Sequence, residues 1–173
     1  MQRKSALIWP LLVLVFVALA SSYQHHQSVP QRVAFDPAQL IGVDGVYPGM
    51  RPSEVEAVVG TATSDKSFEQ YQYTMAVYPR DTVATYNHPS QRVIGLDGKR
   101  LTQTKGWVLQ AGDTEAQVEA SLGPDHATDD DVDFVDHHYW VYCLSENRVV
   151  AVSFNTEGLV TRVQVRNDIL RLR

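Results

Sequence analysis

Residues 112–124 read Gly-Asp-Thr-Glu-Ala-Gln-Val-Glu-Ala-Ser-Leu-Gly-Pro, and residues 49–60 read Gly-Met-Arg-Pro-Ser-Glu-Val-Glu-Ala-Val-Val-Gly. At a constant offset of 63 residues, which places Gly49 on Gly112, the two stretches are identical at five of twelve positions. The replacements preserve the spacing of the apolar residues and the glycine at each end. We therefore expect one structural unit to occur twice in the chain.

Both stretches predict a short helix with defined ends. In the second stretch Thr114 is the expected N-cap and Gln117 reaches back to it, the arrangement called a capping box. In the first stretch Arg51 lies at the cap position, a proline follows at the first helical position, and Glu54 is third. A glycine ends each helix, and we expect it in the left-handed conformation. The residues of this structural motif are Gly49, Val55, Gly60, Gly112, Val118, Leu122, Gly123 and Pro124.

Apolar residues that alternate or run together after each helix predict β-strands. The predicted strands are residues 71–77, 82–86, 92–96, 138–144, 148–154 and 159–165. In the last of them Val163 and Val165 are expected to face inward, with polar side chains between them facing water. The polar residues 61–67 are interpreted as a connection that allows a second helical turn. Cys143 is interpreted as a small buried hydrophobic residue.

These elements predict an α+β fold of two tandem units, each a helix plus a three-stranded antiparallel meander. Three strands and one helix are borderline for independent stability, so the meanders are expected to join into one sheet, covered on one face by the short helices. Residues 101–109 are interpreted as the connection between the units. The predicted domains are a signal peptide or N-terminal membrane anchor at 1–22, a polar tether at 23–40, a first repeat at 41–98 and a second repeat at 99–173.

The N-terminal residues predict export of the rest of the chain. Two basic residues precede an apolar run from Ala6 to Ala20, and the end of that run fits a signal-peptidase site. Two outcomes remain open from the sequence. Cleavage near Ala20 releases a periplasmic protein, whereas residues 6–23 retained in the chain anchor it in the inner membrane.

The glycine-bounded helix followed by a meander resembles the SmpA/OmlA (BamE-like) family of bacterial envelope proteins, and its use in tandem is similar to the beta-lactamase inhibitory protein fold. The matching residues are Gly49, Val55, Gly60, Tyr71, Tyr73, Tyr86 and Asn87 in the first copy, and Gly112, Val118, Leu122–Pro124, Tyr139–Tyr142, Phe154, Asn155, Gly158 and Val160 in the second. The resemblance implies a non-enzymatic module that binds another envelope protein in an assembly or scaffold role. It also allows an alternative, a proteinaceous inhibitor of a periplasmic or secreted enzyme such as a beta-lactamase.

Charge and residue spacing argue against several other functions. The net charge is −5, so nucleic acid is not an expected partner, and we expect membrane contact only through the N-terminal segment. Residues 125–138 contain several aspartates and histidines, but their spacing does not fit a calcium loop, and the adjacent His137 and His138 point to opposite faces of a strand. We therefore predict no metal, no other cofactor and no catalytic residue.

Tyrosines and the acidic loop provide the candidate protein contacts. Tyr78 and Tyr142 are candidates if they lie on the sheet face away from the helices, because tyrosine is enriched at protein interfaces. Asp129, Asp130 and Asp131 are the other candidates, and they belong to the loop that would act as the inhibitory element in the alternative.

Overall fold

The computed structural model describes residues 32–130, 138–145 and 148–167, all of which belong to one compact unit. Two helices are present in these residues, α1 (Pro52–Val59) and α2 (Glu115–Leu122). The strands are β1 (Ile41–Val43), β2 (Ser64–Phe68), β3 (Tyr73–Val77), β4 (Val83–Asn87), β5 (Arg92–Gly98), β6 (Arg100–Gln103), β7 (Gly106–Gln110), β8 (Ala127–Asp130), β9 (His138–Ser145), β10 (Arg148–Phe154) and β11 (Val160–Asn167).

Eight of these strands form one antiparallel sheet in the order β2-β3-β4-β5-β11-β10-β9-β8. The four strands after α1 form a meander, and the four strands after α2 form another. The two meanders meet where β5 pairs with β11, at positions such as Leu96 with Val165. A second, three-stranded sheet has the order β1-β6-β7. Its strands contact β11, and β1 also contacts β5, so it lies against the centre of the large sheet.

The predicted α+β class was wrong, because the fold is dominated by its sheets. Residues 61–67, interpreted as a connection, include most of the edge strand β2, and residues 127–130 form the other edge strand, β8, so each meander has four strands rather than three. Residues 101–109, interpreted as the link between units, form most of the β6–β7 hairpin. The helices have eight residues each, and they share the core side of the large sheet with the three-stranded sheet.

The predicted helix starts are confirmed. The Thr114 N–H donates to Gln117 Oε1 at 2.8 Å, and the Gln117 N–H donates to Thr114 Oγ1 at 3.4 Å. In α1 the Arg51 N–H donates to Glu54 Oε2 at 2.6 Å. The terminal glycines differ from the expectation in ψ. Gly60 (φ 92°, ψ 175°) and Gly123 (φ 94°, ψ 168°) lie outside the left-handed helical region, in one that is essentially restricted to glycine.

The two helix motifs are attached to the sheet in the same way. Residues 49–50 exchange two backbone hydrogen bonds with Val93 of β5, at 2.8 and 2.9 Å. Residues 112–113, at the offset of 63, exchange two with Val160 of β11, both at 2.8 Å. Val55 and Val118 each point from their helix into the core and are fully buried. These attachments of a helix motif to the sheet are therefore common to both halves of the unit.

The core lies between the large sheet and the layer formed by the helices and the small sheet. Val163 and Val165 are fully buried in β11, as predicted. The prediction for Cys143 was wrong, because its thiol is exposed. Trp140 and Tyr142 point into the core from β9, and Cys143, the next residue along the strand, therefore faces the opposite side.

The described part of the N-terminal region contacts the small sheet and α2. The Val33 N–H donates to the Trp107 carbonyl at 2.8 Å, and Arg32 forms an ion pair with Asp113 at 3.3 Å. Within residues 32–130, 138–145 and 148–167, no helix has the length and hydrophobicity to cross a membrane. The predicted signal peptide or anchor at residues 1–22 lies outside the described residues.

Candidate protein-interaction face

Among the described residues, the core packs against only one side of the large sheet. Strand register places side chains of seven strands, from β2 across to β9, on the other side, and we call the surface formed by the seventeen side chains named below the open face. None of them is buried, whereas the residues that alternate with them are largely buried. The open face comprises Lys66, Phe68, Tyr73, Met75, Val77, Val83, Thr85, Asp97, Tyr139, Val141, Cys143, Val149, Ala151, Ser153, Arg162, Gln164 and Arg166.

Much of the open face is apolar. Val77 and Val83 are cross-strand partners on the first meander, and Val141 pairs with Ala151 on the second. All four are partly exposed. A sheet face that contacts water is normally polar, and exposed apolar surface on a soluble protein commonly marks an interaction site. The composition of this face is therefore unusual for a surface that contacts only water.

A polar network occupies the centre of the open face, at the junction of the two meanders. Asp97 of β5 accepts a hydrogen bond from Arg162 Nε at 2.6 Å and another from Gln164 Nε2 at 3.1 Å, both from β11. Arg166 donates to Gln164 Oε1 at 3.1 Å. The Arg162 and Asp97 side chains are 42% and 26% exposed, so their ion pair adds little stability. Its main effect is to hold these side chains in defined positions on the surface.

An aromatic cluster lies at the β2–β3 end of the same face. The rings of Phe68 and Tyr73 are 4.8 Å apart between centroids, and Tyr71 stacks on Tyr73 at 6.0 Å. The ammonium group of Lys66 lies 4.9 Å from the Phe68 ring centroid. Tyr71, which ends a short 3₁₀ turn before β3, is 64% exposed. Exposed tyrosine, phenylalanine and methionine are the residue types that protein interfaces favour.

The structure does not place the two predicted tyrosine contacts on this face. Tyr78 and Tyr142 are each 2% exposed and point into the core, so the condition on which they were candidates, a position on the face away from the helices, is not met. The Tyr78 hydroxyl is 2.6 Å from the Tyr86 hydroxyl. Burial raises the pKa of both these phenols, and it raises the pKa of Tyr142 to about 12. These tyrosines therefore contribute to the core.

The acidic candidates lie at the other end of the large sheet. Asp129 and Asp130 are in β8, where their backbones pair with Tyr139 and His138. Asp131 lies outside the described residues, and the role of the three aspartates in protein contact stays a prediction. Among the residues that the structure describes, no group of three or more histidine, cysteine or acidic side chains is arranged to hold a metal ion.

A second cluster lies on the core side next to α2 and includes His126 and His138, from the histidine-containing segment 125–138 considered in the sequence analysis. The His126 ring stacks on Trp140, with centroids 4.0 Å apart, and His138 Nε2 lies 2.9 Å from Glu115 Oε1. His126 Nδ1 and the Tyr142 hydroxyl are buried and have no hydrogen-bond partner among the described residues. The cluster contains no hydroxyl or thiol nucleophile activated by a neighbouring base. We interpret it as packing under the helix.

The likeness of this chain to known proteins is one of fold. No protein-family model matches the chain, and no curated protein matches its sequence. Its fold is similar to that of an extracellular protein containing a SCP domain from Bacillus anthracis str. Ames, with a TM-score of 0.51 and 11% identity over 80% of this chain and 49% of that one. This chain therefore spans about half the length of that protein. At 11% identity, the likeness concerns the fold alone.

A second solved structure is more distant. It is a DUF4309 family protein, YjgB, from Bacillus subtilis subsp. subtilis str. 168, with a TM-score of 0.46 and 14% identity over 78% of this chain and 86% of that one. A TM-score below 0.5 does not establish a common fold. Neither protein's name links this chain to the SmpA/OmlA family or to the beta-lactamase inhibitory protein, so that resemblance stays a prediction.

Proposed function

We propose that the chain is a non-enzymatic module that binds another protein on the open face of its large sheet. The observation that carries this proposal is the composition of that face. It combines partly exposed valines, an aromatic cluster and a positioned Arg162–Asp97–Gln164 network. Apolar and aromatic contacts supply most of the affinity in protein complexes, and polar groups fix the orientation of the partner.

The size of the open face suits a folded partner. The seven strands of the open face, at a spacing of ~4.8 Å, extend about 29 Å across the sheet, and five residues at ~3.4 Å extend about 17 Å along it. The projected area is then on the order of 500 Å², more than half of the ~800 Å² that each partner contributes to a typical stable interface. A small molecule would cover only part of such a flat surface.

We infer that the partner is another protein of the bacterial cell envelope and that the module has an assembly or scaffold role. The basic and apolar residues at the N-terminus support export to that compartment. The resemblance to SmpA/OmlA proteins supports the same role. An inhibitor of a periplasmic or secreted enzyme is the alternative, and in that case the acidic loop that contains Asp129, Asp130 and Asp131 is the inhibitory element.

Site-directed photo-crosslinking in cells that express the protein naturally tests the proposal. A benzoylphenylalanine replaces Met75 or Val149 on the open face, or Glu56, which is exposed on α1. We expect one discrete adduct from the first two positions and none from the third. The additional substitution Ala151→Arg, placed beside Val149, should abolish the adduct from Val149. Equal adducts from Glu56, or no adduct from the open face, would contradict the proposal.

Enzyme assays separate the alternative from the first proposal. Purified protein is added at micromolar concentration to beta-lactamases and to envelope hydrolases. An inhibitor should reduce the activity of one of them, and replacement of Asp129, Asp130 and Asp131 by asparagine should restore it. Full activity in every assay, combined with crosslinks from the open face, would reject the inhibitor and leave the scaffold role.

A further inference from the structure

One row of open-face residues crosses five neighbouring strands and has a cation at each end. Register pairs Arg166 of β11 with Gly95 of β5, Gly95 with Thr85 of β4, Thr85 with Met75 of β3, and Met75 with Lys66 of β2. Four strand spacings of ~4.8 Å place the two ends of the row about 19 Å apart. We call these five residues the cation row.

The surface in the middle of the cation row is shallow. Gly95 has no side chain, and a methyl group built on it would meet the Thr85 Cβ atom at 3.5 Å, so the surface between β4 and β5 is shallow. Met75 is 36% exposed and offers a flexible apolar contact next to it. The row therefore presents a shallow, mostly uncharged strip between two positive ends.

Neither cation contacts a carboxylate among the described residues. Arg166 donates to the neutral amide oxygen of Gln164, and Lys66 lies over the ring of Phe68. Asp97, the carboxylate at the centre of the face, is already bonded to Arg162. Asp129 holds a register position on the same side of the sheet, but β8 is three strands beyond β11. The positive charge at both ends of the row is therefore available to a partner.

The charge of the whole chain makes this strip selective. The net charge is −5, so most of the surface repels an acidic partner, and the cation row is a place where such a partner is attracted. Two cations about 19 Å apart are too sparse for nucleic acid, which binds clustered lysine and arginine through closely spaced phosphates. They are also fewer than the clusters of four to eight basic residues that mark binding to anionic lipid.

From this geometry we propose that the cation row binds an acidic amphipathic helix of the partner protein, laid across the strands. The inference rests on the proposed function, because it specifies which partner surface the open face takes. Carboxylates about 11 or 14 residues apart lie on one side of a helix and are separated by roughly 16 to 21 Å. Such a helix places an acidic residue near Arg166 and another near Lys66, with its apolar residues over Thr85 and Met75.

Fluorescence anisotropy with a defined probe tests this inference on the full chain. The probe is a labelled helical peptide with leucines on one face and two glutamates 11 residues apart, and the matched probe has lysines in place of the glutamates. We expect binding of the first peptide only. Lys66→Glu and Arg166→Glu should each weaken it about five- to tenfold, because reversal replaces a modest surface attraction with a similar repulsion. Lys105→Glu makes the same change of charge at an exposed position in the β6–β7 turn and should leave binding unchanged.

Three results would overturn the inference. The first is equal binding of both peptides or of neither, and the second is equal affinity of the three charge variants. The third is binding to phosphatidylglycerol vesicles that depends on Lys66 and Arg166 while the acidic peptide does not bind. If crosslinks from Met75 and Val149 persist in any of these cases, the proposed function stands and only the acidic helix is rejected. If the crosslinks are absent as well, both proposals fail.

Discussion

Replacement of Tyr142 by phenylalanine should stabilise the protein, although the residue is almost completely buried. The Tyr142 side chain is 2% exposed and its hydroxyl has no hydrogen-bond partner among the described residues. A buried, unsatisfied hydroxyl costs about 1–3 kcal/mol relative to one in water, and removal of the group relieves that cost while the ring continues to pack. We therefore expect Tyr142→Phe to raise the free energy of unfolding by about 1 kcal/mol at pH 7.

The effect of this substitution should grow with pH. Burial raises the pKa of Tyr142 from 10.0 to about 12 in the folded protein, so the fold favours the neutral phenol. The contribution of this preference to the free energy of unfolding is intact below pH 10. It is lost as pH rises from 10 to 12, because Tyr142 ionises at a lower pH in the unfolded chain than in the folded protein. At about 1.4 kcal/mol per pH unit, the loss is roughly 1.4 kcal/mol at pH 11. The advantage of the phenylalanine variant should therefore reach about 2 to 2.5 kcal/mol at pH 11.

Tyr78→Phe is the matched control, because it makes the same chemical change at a hydroxyl that has a partner. Its removal leaves the Tyr86 hydroxyl, 2.6 Å away in the native protein, without that bond. We expect Tyr78→Phe to lower the free energy of unfolding by about 1–2 kcal/mol. Urea unfolding of both variants and the native chain at pH 7, 9 and 11 gives these values. A Tyr142→Phe variant less stable than the native chain at pH 7, or a difference that does not change between pH 7 and 11, would refute the reasoning.

Three further predictions concern the helix ends and the open face. Gly123→Ala should lower the free energy of unfolding by about 1–3 kcal/mol in urea titrations. A methyl group would meet no atom there, but a φ of 94° is strained for alanine. An unchanged unfolding midpoint would contradict this prediction. Thr114→Ala should lower the free energy of unfolding by about 1 kcal/mol. Arg51→Ala, at the equivalent cap position, should leave it nearly unchanged, because an arginine side chain has no hydrogen-bond acceptor. Equal losses from the two substitutions would contradict the assignment of the caps. Cys143 should react completely with Ellman's reagent in the native protein, and reaction only in denaturant would place it in the core.

The sequence was sufficient for the helices because their ends are local. The capping box of Thr114 and Gln117 and the terminal glycines depend on residues at most a few positions apart, and both helices have the predicted bounds. The inward orientation of Val163 and Val165 was also predictable, since polar side chains alternate with them. In these segments local pattern and tertiary environment agree.

The strands that the sequence did not predict, such as β2 and β6, depend on partners that are distant in the chain. β2 reads Ser-Asp-Lys-Ser-Phe, and its polar character is typical of an edge strand, which has no neighbour on one side. β6 contains two buried polar residues, Thr102 and Gln103, so it lacks the apolar pattern that predicts a strand. Gln103 can be buried because its side-chain amide donates to the Asp36 carbonyl, 67 residues away. No local pattern indicates that such polar residues are buried.

The side of β9 that faces the core could not be predicted, because β9 is apolar on both sides. His138, Trp140 and Tyr142 are on the core side and Tyr139, Val141 and Cys143 on the other, so the sequence does not indicate which set is inside. The pairing of β9 with β10, whose residues Val150, Val152 and Phe154 are fully buried, decides it.

The position of β11 has a consequence for synthesis of the protein. β11 lies between β5 and β10, yet it follows both in the chain, and the contact from Arg162 back to Asp97 spans 65 residues. On the ribosome, β5 therefore emerges long before the strand that pairs with its free side. Until Val160–Asn167 leaves the exit tunnel, the nascent chain presents an unpaired edge that can pair with other chains, and we expect it to depend on a holding chaperone during that interval.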